Sequence, residues 1–421
     1  MKYFPEKLLY YAVFIALSAA FFSPPPALCS TDGLLERARR GEINAKLFLA
    51  NEYFHGKNRP VNYVLAAYWF RRAAEKNDPR AQYNLAMCYE NGWGVPKSHR
   101  AAFYWYEKAA ATLPEAEIKY AEKLFTGVTR GIVGDMELQA VLPDKNKALD
   151  ILRKHAGTNR EAGILLVKYL FLDAPQHAKE LRTLLEKFSS LPEPHPEALI
   201  LYAACLRSGI GGPSDPAKGA QILLKAAESN NAEAIAQLAE IYDTGSGLPR
   251  DRAKALELTR KAAGMNSPRA LVNMGDRYLA GDGVTADPAK AVELYTRASE
   301  VAYPPSLRKL GMCFEYGFGV EMDLKRAFEN YELAARGGDD DAQFKLGEFF
   351  RDGKSVEKDP AASFYWFGIS AKNGDPAAMR EIGIALISGR GVKKDRARGV
   401  EWIKRAAAAG DIAARNLLTD E

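Results

Sequence analysis

The sequence predicts an all-α protein, a solenoid of about ten 36-residue helix-turn-helix repeats, on three observations. First, small residues recur every 36 positions at Ala162, Ala198, Ala234, Ala270, Ser306, Ala342, Ala378 and Ala414, and Ala45 and Ala81 keep the same step upstream. Second, a glycine row (Gly209, Gly245, Gly281, Gly317, Gly353, Gly389, with Gly56 and Gly92 earlier) runs in phase with an aspartate row. The aspartates are Asp215, Asp251, Asp287, Asp323, Asp359 and Asp395, with Asn62 and Ser98 as polar equivalents. Third, small pairs such as Ala109-Ala110, Ala226-Ala227, Ala262-Ala263 and Ala406-Ala407 keep the same phase.

Each row has a physical task in the unit from Pro268 to Pro304. Pro268 opens the first helix, where its missing N–H costs nothing. Leu271, Met274 and Tyr278 lie at helical spacing for one apolar face. Gly281-Asp282-Gly283 ends that helix, because glycine takes the positive φ a helix C-terminus often needs. Asp287-Pro288 restarts the chain as N-cap and first helical residue. Ala291, Leu294, Tyr295 and Ala298 then face inward from the second helix, and the small residues let helices of adjoining units approach closely.

The stretch Ala81 to Ala110 carries Leu85, Ala86, Tyr89, Gly92-Trp93-Gly94-Val95 and Trp105 at the spacing A-x-x-x-L-G/A-x-x-Y-x-x-G-x-G-V followed by W/Y-x-x-x-A-A. This resembles the Sel-one-like repeat (SLR) family, relatives of the tetratricopeptide repeat, over nearly all of Ala45 to Leu418. The resemblance implies a right-handed superhelix that works as an adaptor, with binding along the concave face lined by the first helices. The cysteine-rich branch of the family joins the helices of each repeat through a Cys pair. This chain lacks those pairs, so the penicillin-binding activity of that branch is not carried over.

The rows divide the chain into a signal peptide (1–29), an N-terminal capping helix (30–44, with Leu34 to Arg40 at its heart), units one to three (45–161), a degenerate unit four (162–197), units five to ten (198–413) and a C-terminal cap (414–421), Ile412 to Leu418 beginning an eleventh first helix. The third unit carries about ten extra residues near 127–143. Ile132, Val133, Met136, Leu138, Val141 and Leu142 make this insertion apolar for an exposed loop, and it either docks a partner or covers the fourth unit.

Lys2 and Lys7 precede an apolar run from Leu8 to Phe22, and small residues Ala27 and Cys29 stand before Ser30. This reads as a secretory signal cleaved after Cys29, the run being shorter than the roughly twenty residues a spanning helix needs. An uncleaved anchor and a lipid-modified Cys29 are the alternatives, and the bulk of Leu28 argues against the second. A net charge of +5 across 421 residues is no nucleic-acid footprint.

Signals that could suggest chemistry are absorbed by the period. The Gly-x-Gly turns follow a helix rather than a strand, unlike phosphate loops. The aspartates stand about 10 Å apart by helix-packing distance, too far to share a metal ion, and read as N-caps. Cys88, Cys205 and Cys313 share the seventh place after their unit's small residue, three repeats apart, and read as packing residues. Trp69, Trp105, Trp366 and Trp402 share one position in the second helix and read as core wedges, whereas Trp93 sits in a turn and is expected to be exposed. His55, His99, His155, His177 and His195 form no metal-ligand motif.

The expected function is a non-catalytic protein-binding scaffold, exported to the bacterial periplasm or envelope, without cofactor, metal or nucleic acid. Membrane association is expected only through residues 1–29 or a lipidated Cys29. The resemblance implies two settings, lipid-anchored assembly factors for exopolysaccharide export and soluble periplasmic inhibitors of a sensor kinase. The alternative is a hydrolase of cell-wall or β-lactam substrates, for which no Gly-x-Ser-x-Gly or His-Glu-x-x-His motif speaks. Candidate partner-binding residues are those expected to be exposed one and four positions after the Gly/Ala that packs each first helix. They are Glu240 and Asp243, Asp276 and Leu279, Met312 and Glu315, Glu348 and Arg351, a mostly acidic row suited to a basic or polar partner segment.

Overall fold

In the unit that begins at Pro268, Ser267 is the N-cap of the first helix, Pro268–Ala280, and its hydroxyl accepts the N–H of Ala270 at 3.4 Å. Gly281 ends the helix at φ 73°, its N–H returning to the Arg277 carbonyl. Asp287 then accepts the Lys290 N–H at 3.0 Å and starts the second helix, Pro288–Ser299. The same capping recurs at Asp215, Asp251, Asp323, Asp359 and Asp395, which are the N-caps the sequence predicts. Such a cap stabilises a helix by about 1 kcal/mol.

This computed structural model describes residues 31–419 apart from 129–130, 134–135 and 139, and the segment read as a signal, with Cys29, lies outside the described residues. Packing divides the chain between Leu184 and Leu185, inside helix Ala174–Ser189 and within the segment read as the degenerate fourth unit. The N-terminal part opens with helix Thr31–Arg39 and continues with the pairs Ile43–His55 and Tyr63–Ala74, then Pro79–Asn91 and His99–Ala110. Helices Pro114–Thr126, Lys145–His155 and Arg160–Leu172 follow. The C-terminal part is six regular pairs, from Pro196–Ser208 with Pro216–Glu228 to Pro376–Ser388 with Arg396–Ala408, and then helix Ile412–Thr419.

Core clusters of the C-terminal part reach across the boundaries between repeats. Ile235, Ala262, Ala263, Leu271, Met274, Leu294, Tyr295, Leu310 and Cys313 form one buried cluster drawn from three successive repeats. The alanine rows allow this, because Ala262, Ala270, Ala291 and Ala298 are completely buried where helices cross. In three successive repeats a cation covers an aromatic ring of the first helix. Lys254 lies over Tyr242, Lys290 over Tyr278 and Arg326 over Phe314, at 4.5, 4.6 and 3.9 Å. That contact gives the basic residue three positions after Asp251, Asp287 and Asp323 its purpose.

In four of the turns the two glycines do different work. Gly317 takes φ 74° to cap its helix, whereas Gly319, at φ 71°, lies against the backbone of the preceding repeat. A Cβ on Gly319 would stand 2.2 Å from the Pro288 carbonyl oxygen, and Gly94, Gly247 and Gly391 make the same approach to Tyr63, Pro216 and Pro360. At the corresponding place in the ninth unit stands Ser355, also at positive φ (62°). Replacing Ser355 by glycine should relieve a left-handed side chain and stabilise the protein by about 1 kcal/mol, read as a higher urea midpoint. An unchanged or lower midpoint would show that the serine side chain compensates its own strain.

Two expectations are corrected. The insertion is no loop. Gly131–Val133 pairs antiparallel with Met136–Leu138, and Val128 and Val141 exchange hydrogen bonds of 2.9 and 2.7 Å at its base, so a hairpin interrupts the helices here. Its signal was present in the sequence: β-branched Ile132 and Val133, then Gly134-Asp135, a pair favoured in tight turns. Because the hairpin closes on itself, the bond that ends each turn survives the insertion. Asp144 N–H reaches the Leu124 carbonyl at 2.9 Å, just as Asp287 N–H reaches that of Tyr278 at 2.8 Å. Trp93, expected to be exposed, folds back on the first repeat and is half-buried, 5.1 Å edge-on from Phe54 and 6.4 Å from Tyr63. Trp69 and Trp105 are buried, and Trp366 and Trp402 are half-buried. Cys88, Cys205 and Cys313 are buried free thiols, and burial pushes Cys88 up to about 12 and Cys313 to about 11.

Candidate binding groove

The residues that could meet a partner on the first helices occupy the faces left over after packing. Gly275 brings helix Pro268–Ala280 against its own second helix so closely that a Cβ there would be 2.5 Å from the Tyr295 ring. The next residue, Asp276, therefore stands beside the tip of that ring and accepts its hydroxyl at 2.6 Å. Tyr331 reaches Glu315 in the same way at 2.9 Å, and Tyr106 reaches Glu90 at 2.7 Å. Burial, reinforced by the facing carboxylate, holds the Tyr295 and Tyr331 hydroxyls well above the usual range, so they stay protonated as donors.

None of the eight positions expected to be exposed is fully so. Glu240, Asp243, Asp276, Leu279, Met312, Glu348 and Arg351 are half-buried, and Glu315 is buried at 5% exposure. Nor is the row bare acid. Successive first helices touch, Ala232–Thr244 meeting Pro268–Ala280, which in turn meets Pro304–Tyr316. Bases from the later helix reach back to the acids of the earlier one. Arg269 bridges Glu233 and Glu240 at 2.8 and 3.3 Å, and Asn273 donates to Glu240 at 3.0 Å. Arg277 binds Asp243 at 2.9 Å and Asp282 at 3.0 Å, and Lys309 binds Asp276 at 2.8 Å. Farther on, Lys354 meets Glu315 at 3.1 Å, Lys345 meets Glu348 at 2.8 Å, and Arg351 spans Asp352 and Glu381 at 2.8 and 3.2 Å. Burial works against charge on Arg269, but Glu240 and Glu233 outweigh it and hold the guanidinium above its ordinary value.

The structure brings three of the predicted residues together. Glu240, Asp243 and Asp276 line one cavity of about 310 Å³ between the sixth and seventh repeats, with Asn273, Arg277 and Asp282. Thr244 and Thr259 also contribute, and the Thr259 hydroxyl is bonded to the Ala255 carbonyl at 2.7 Å. Four carboxylates and one guanidinium line the cavity, and Arg269, Lys309 and Arg252, which are not in its lining, pair with three of those acids, so a cationic or hydrogen-bond-donating group that enters would exchange with them. Glu315, Glu348 and Arg351 lie outside it. Sequence reasoning missed Arg277, buried at 7% exposure, and Asn273. Their signal was available, since each falls one repeat or slightly less after the acid it serves.

Residues with the spacing of a serine acylation motif, Ser-x-x-Lys, occur at Ser306 to Lys309 and at Ser355 to Lys358. The buried Ser306 hydroxyl donates to the Tyr303 carbonyl at 2.7 Å, and Lys309 is engaged with Asp276. Ser355 and Lys358 are both exposed in a turn. Among the described residues no group of three or more His, Cys, Asp or Glu is placed to hold a metal ion, and no helix is long and apolar enough to cross a membrane.

Capped helix pairs that bury a shared core and leave a polar groove between first helices define a helical-repeat scaffold. The model of the Sel1 repeat matches residues 43–78, 79–111, 196–231, 232–267, 268–301, 304–339, 340–375 and 376–411, well over half of the chain, and the chain belongs to the Sel1 repeat family. The matches skip 112–195, where the hairpin and the unit without a glycine turn lie. Among solved structures, a Sel1 repeat protein from Oxalobacter formigenes is 28% identical with a TM-score of 0.50, over 58% of this chain and 99% of that one. A protective antigen of uropathogenic Escherichia coli with an SLR fold is 27% identical with a TM-score of 0.48, over 91% of this chain and 80% of that one. No curated protein matches the chain.

Proposed function

We propose that this Sel1 repeat scaffold is a non-catalytic adaptor of the bacterial envelope that holds a basic segment of a partner protein in the groove at Glu240, Asp243 and Asp276. The observation that carries the reading is the gathering of four carboxylates in one cavity large enough for one long side chain, each paired with a cation that an incoming base can replace. A partner Lys or Arg would compete with Arg277 and Lys309 for carboxylates already positioned by Tyr295 and Asn273, so little side-chain ordering remains to be supplied on binding. The apolar run before Ser30 supports export. Lipidation of Cys29 would favour the exopolysaccharide-assembly setting, and a freely soluble processed chain would favour regulation of a sensor kinase.

The neutral variant Glu240→Gln/Asp276→Asn keeps hydrogen-bonding atoms in place and should weaken partner binding about tenfold while flattening its salt dependence. Its melting temperature should fall by only a few degrees, because the pairs are partly exposed. Charge reversal at Asp276 is a poorer test than the sequence suggests, since it sets a cation against Lys309. The partner is obtained by photo-crosslinking in cells from a probe at the exposed Thr244, with a probe at Glu257, on the second helix, as reference. Equal capture from both positions, or unchanged affinity of the neutral variant, would remove the groove from the reading.

A further inference from the structure

The second helix of the first repeat departs from its equivalents on the outward face. Val64, Leu65 and Tyr68 are 64, 36 and 49% exposed, and Val61, just before the helix, is 52% exposed. They fall at intervals of three and four and form one stripe along helix Tyr63–Ala74. In the sixth, seventh and eighth repeats the place of Leu65 is held by Lys254, Lys290 and Arg326, and that of Tyr68 by Glu257, Glu293 and Glu329. In those repeats, then, this face is charged and solvated, and the ninth repeat keeps only the tyrosine (Tyr365, with Ala362 in the place of Leu65), whereas in the first repeat four neighbouring apolar side chains share the face.

Charge around the patch points to what it meets. Residues 57–111 hold nine Lys and Arg against four Asp and Glu. The acids are largely engaged: Asp78 caps its helix, Glu90 accepts from Tyr106 and pairs with Lys123 at 2.5 Å, and Glu107 accepts from Tyr120 at 3.1 Å. Glu75 alone is shared at the surface, 3.7 Å from Arg72. Lys57 lies at one end of the stripe and Arg72 and Lys76 at the other, and all three are exposed. Val, Leu and Tyr on one face of a helix with cations at both ends suit an interface of acyl chains and anionic headgroups. A tyrosine serves both regions, its ring among chains and its hydroxyl among headgroups.

We propose that the outward face of helix Tyr63–Ala74 is a contact for an anionic lipid surface, with Val61, Val64, Leu65 and Tyr68 entering the headgroup boundary and Lys57, Arg72 and Lys76 meeting phosphates. The contact is independent of the groove, and of whether residues 1–29 are retained, because it acts through side chains of the folded first repeat.

The test places a genetically encoded dansylalanine at Tyr68 of the full chain and, separately, at Glu257, its equivalent in the sixth repeat. Each protein is mixed with vesicles of phosphatidylcholine alone or of phosphatidylcholine with phosphatidylglycerol. A blue shift at position 68 with the anionic vesicles, absent at 257 and reversed by about 1 M salt, is the expected result. Val64→Ser/Leu65→Ser in the position-68 protein should weaken the apparent partition about tenfold or more, with an unchanged circular-dichroism spectrum. Even if residues 1–29 hold the chain to vesicles, the probe still reports whether this face touches lipid. No shift at 68, equal shifts at 68 and 257, or the same shift with phosphatidylcholine alone would overturn the proposal. A shift that follows protein concentration without vesicles would assign the face to a second copy and overturn it equally.

Discussion

Gly319→Ala should destabilise the C-terminal repeats by about 3 kcal/mol, far more than the loss expected from a solvent-facing turn. Two costs add. A left-handed conformation costs an L-residue about 1–2 kcal/mol. The new Cβ also meets backbone, at 2.2 Å from the Pro288 oxygen, 2.4 Å from its carbon and 2.7 Å from the Ala289 nitrogen. No side chain can turn aside there, so the start of helix Pro288–Ser299 has to move. Gly338→Ala supplies the comparison, because Gly338 also has positive φ (91°) but nothing within 4 Å of its would-be Cβ. It should lose only the conformational part, about 1 kcal/mol. Urea melts of the two variants, with hydrogen exchange followed in Pro288–Ser299, separate the costs. Coincident melts would mean that the repeat contact at Gly319 yields easily and that the second glycine serves only the turn.

Glu315→Ala should cost about 2–3 kcal/mol and should act on stability rather than on partner recognition. The Glu315 side chain is only 3% exposed and takes hydrogen bonds from the Tyr331 hydroxyl and the Lys354 ammonium. Its removal leaves a buried phenol without an acceptor beside a small void. Lys354 can turn toward water, which keeps the cost at the lower end for a buried pair. Glu315→Gln, which retains an acceptor for Tyr331, should recover much of the loss. Glu348→Ala, where the carboxylate is half-buried against Lys345, should cost less than about 1 kcal/mol. If Glu315 and Glu348 proved equivalent in melts, the distinction drawn from burial would be wrong.

The comparison of Glu315 with Asp276 shows how far reading the chain could go toward the groove. Both stand at the positions expected to face outward, and within their repeats they differ by three residues, about one turn of the helix. Asp276 reaches a cavity, whereas Glu315 lies under the next turn, where Lys354 closes over it. Lys354 is 39 residues away and belongs to the following repeat. Arg269, Arg277 and Lys309 likewise come from the repeat after the acids they pair with. An acidic row in the sequence is therefore a charge-alternating surface in the folded protein, and at the groove between repeats six and seven four carboxylates gather beside the cations that pair with them.

Other elements fell on one side or the other for similar reasons. The glycine and aspartate rows identified helix ends correctly because a cap acts over about four residues. The hairpin after Gly127 was legible from Gly134-Asp135 and its β-branched neighbours, but the surrounding helical period concealed it. Trp93 read as exposed because its turn is polar and glycine-rich, and only the approach of Phe54 and Tyr63 from the first repeat covers its ring.

By itself the sequence determined the repeat length, the helix pairs, their caps and the family, since each depends on residues close together or exactly one period apart. Tertiary structure alone decided that the second glycine is a backbone contact, that Glu315 is buried, and that Glu240, Asp243 and Asp276 share one cavity. The physical reason is range. Capping and helical periodicity are local, whereas burial and charge pairing depend on how one repeat is set against the next, and no residue carries that information alone.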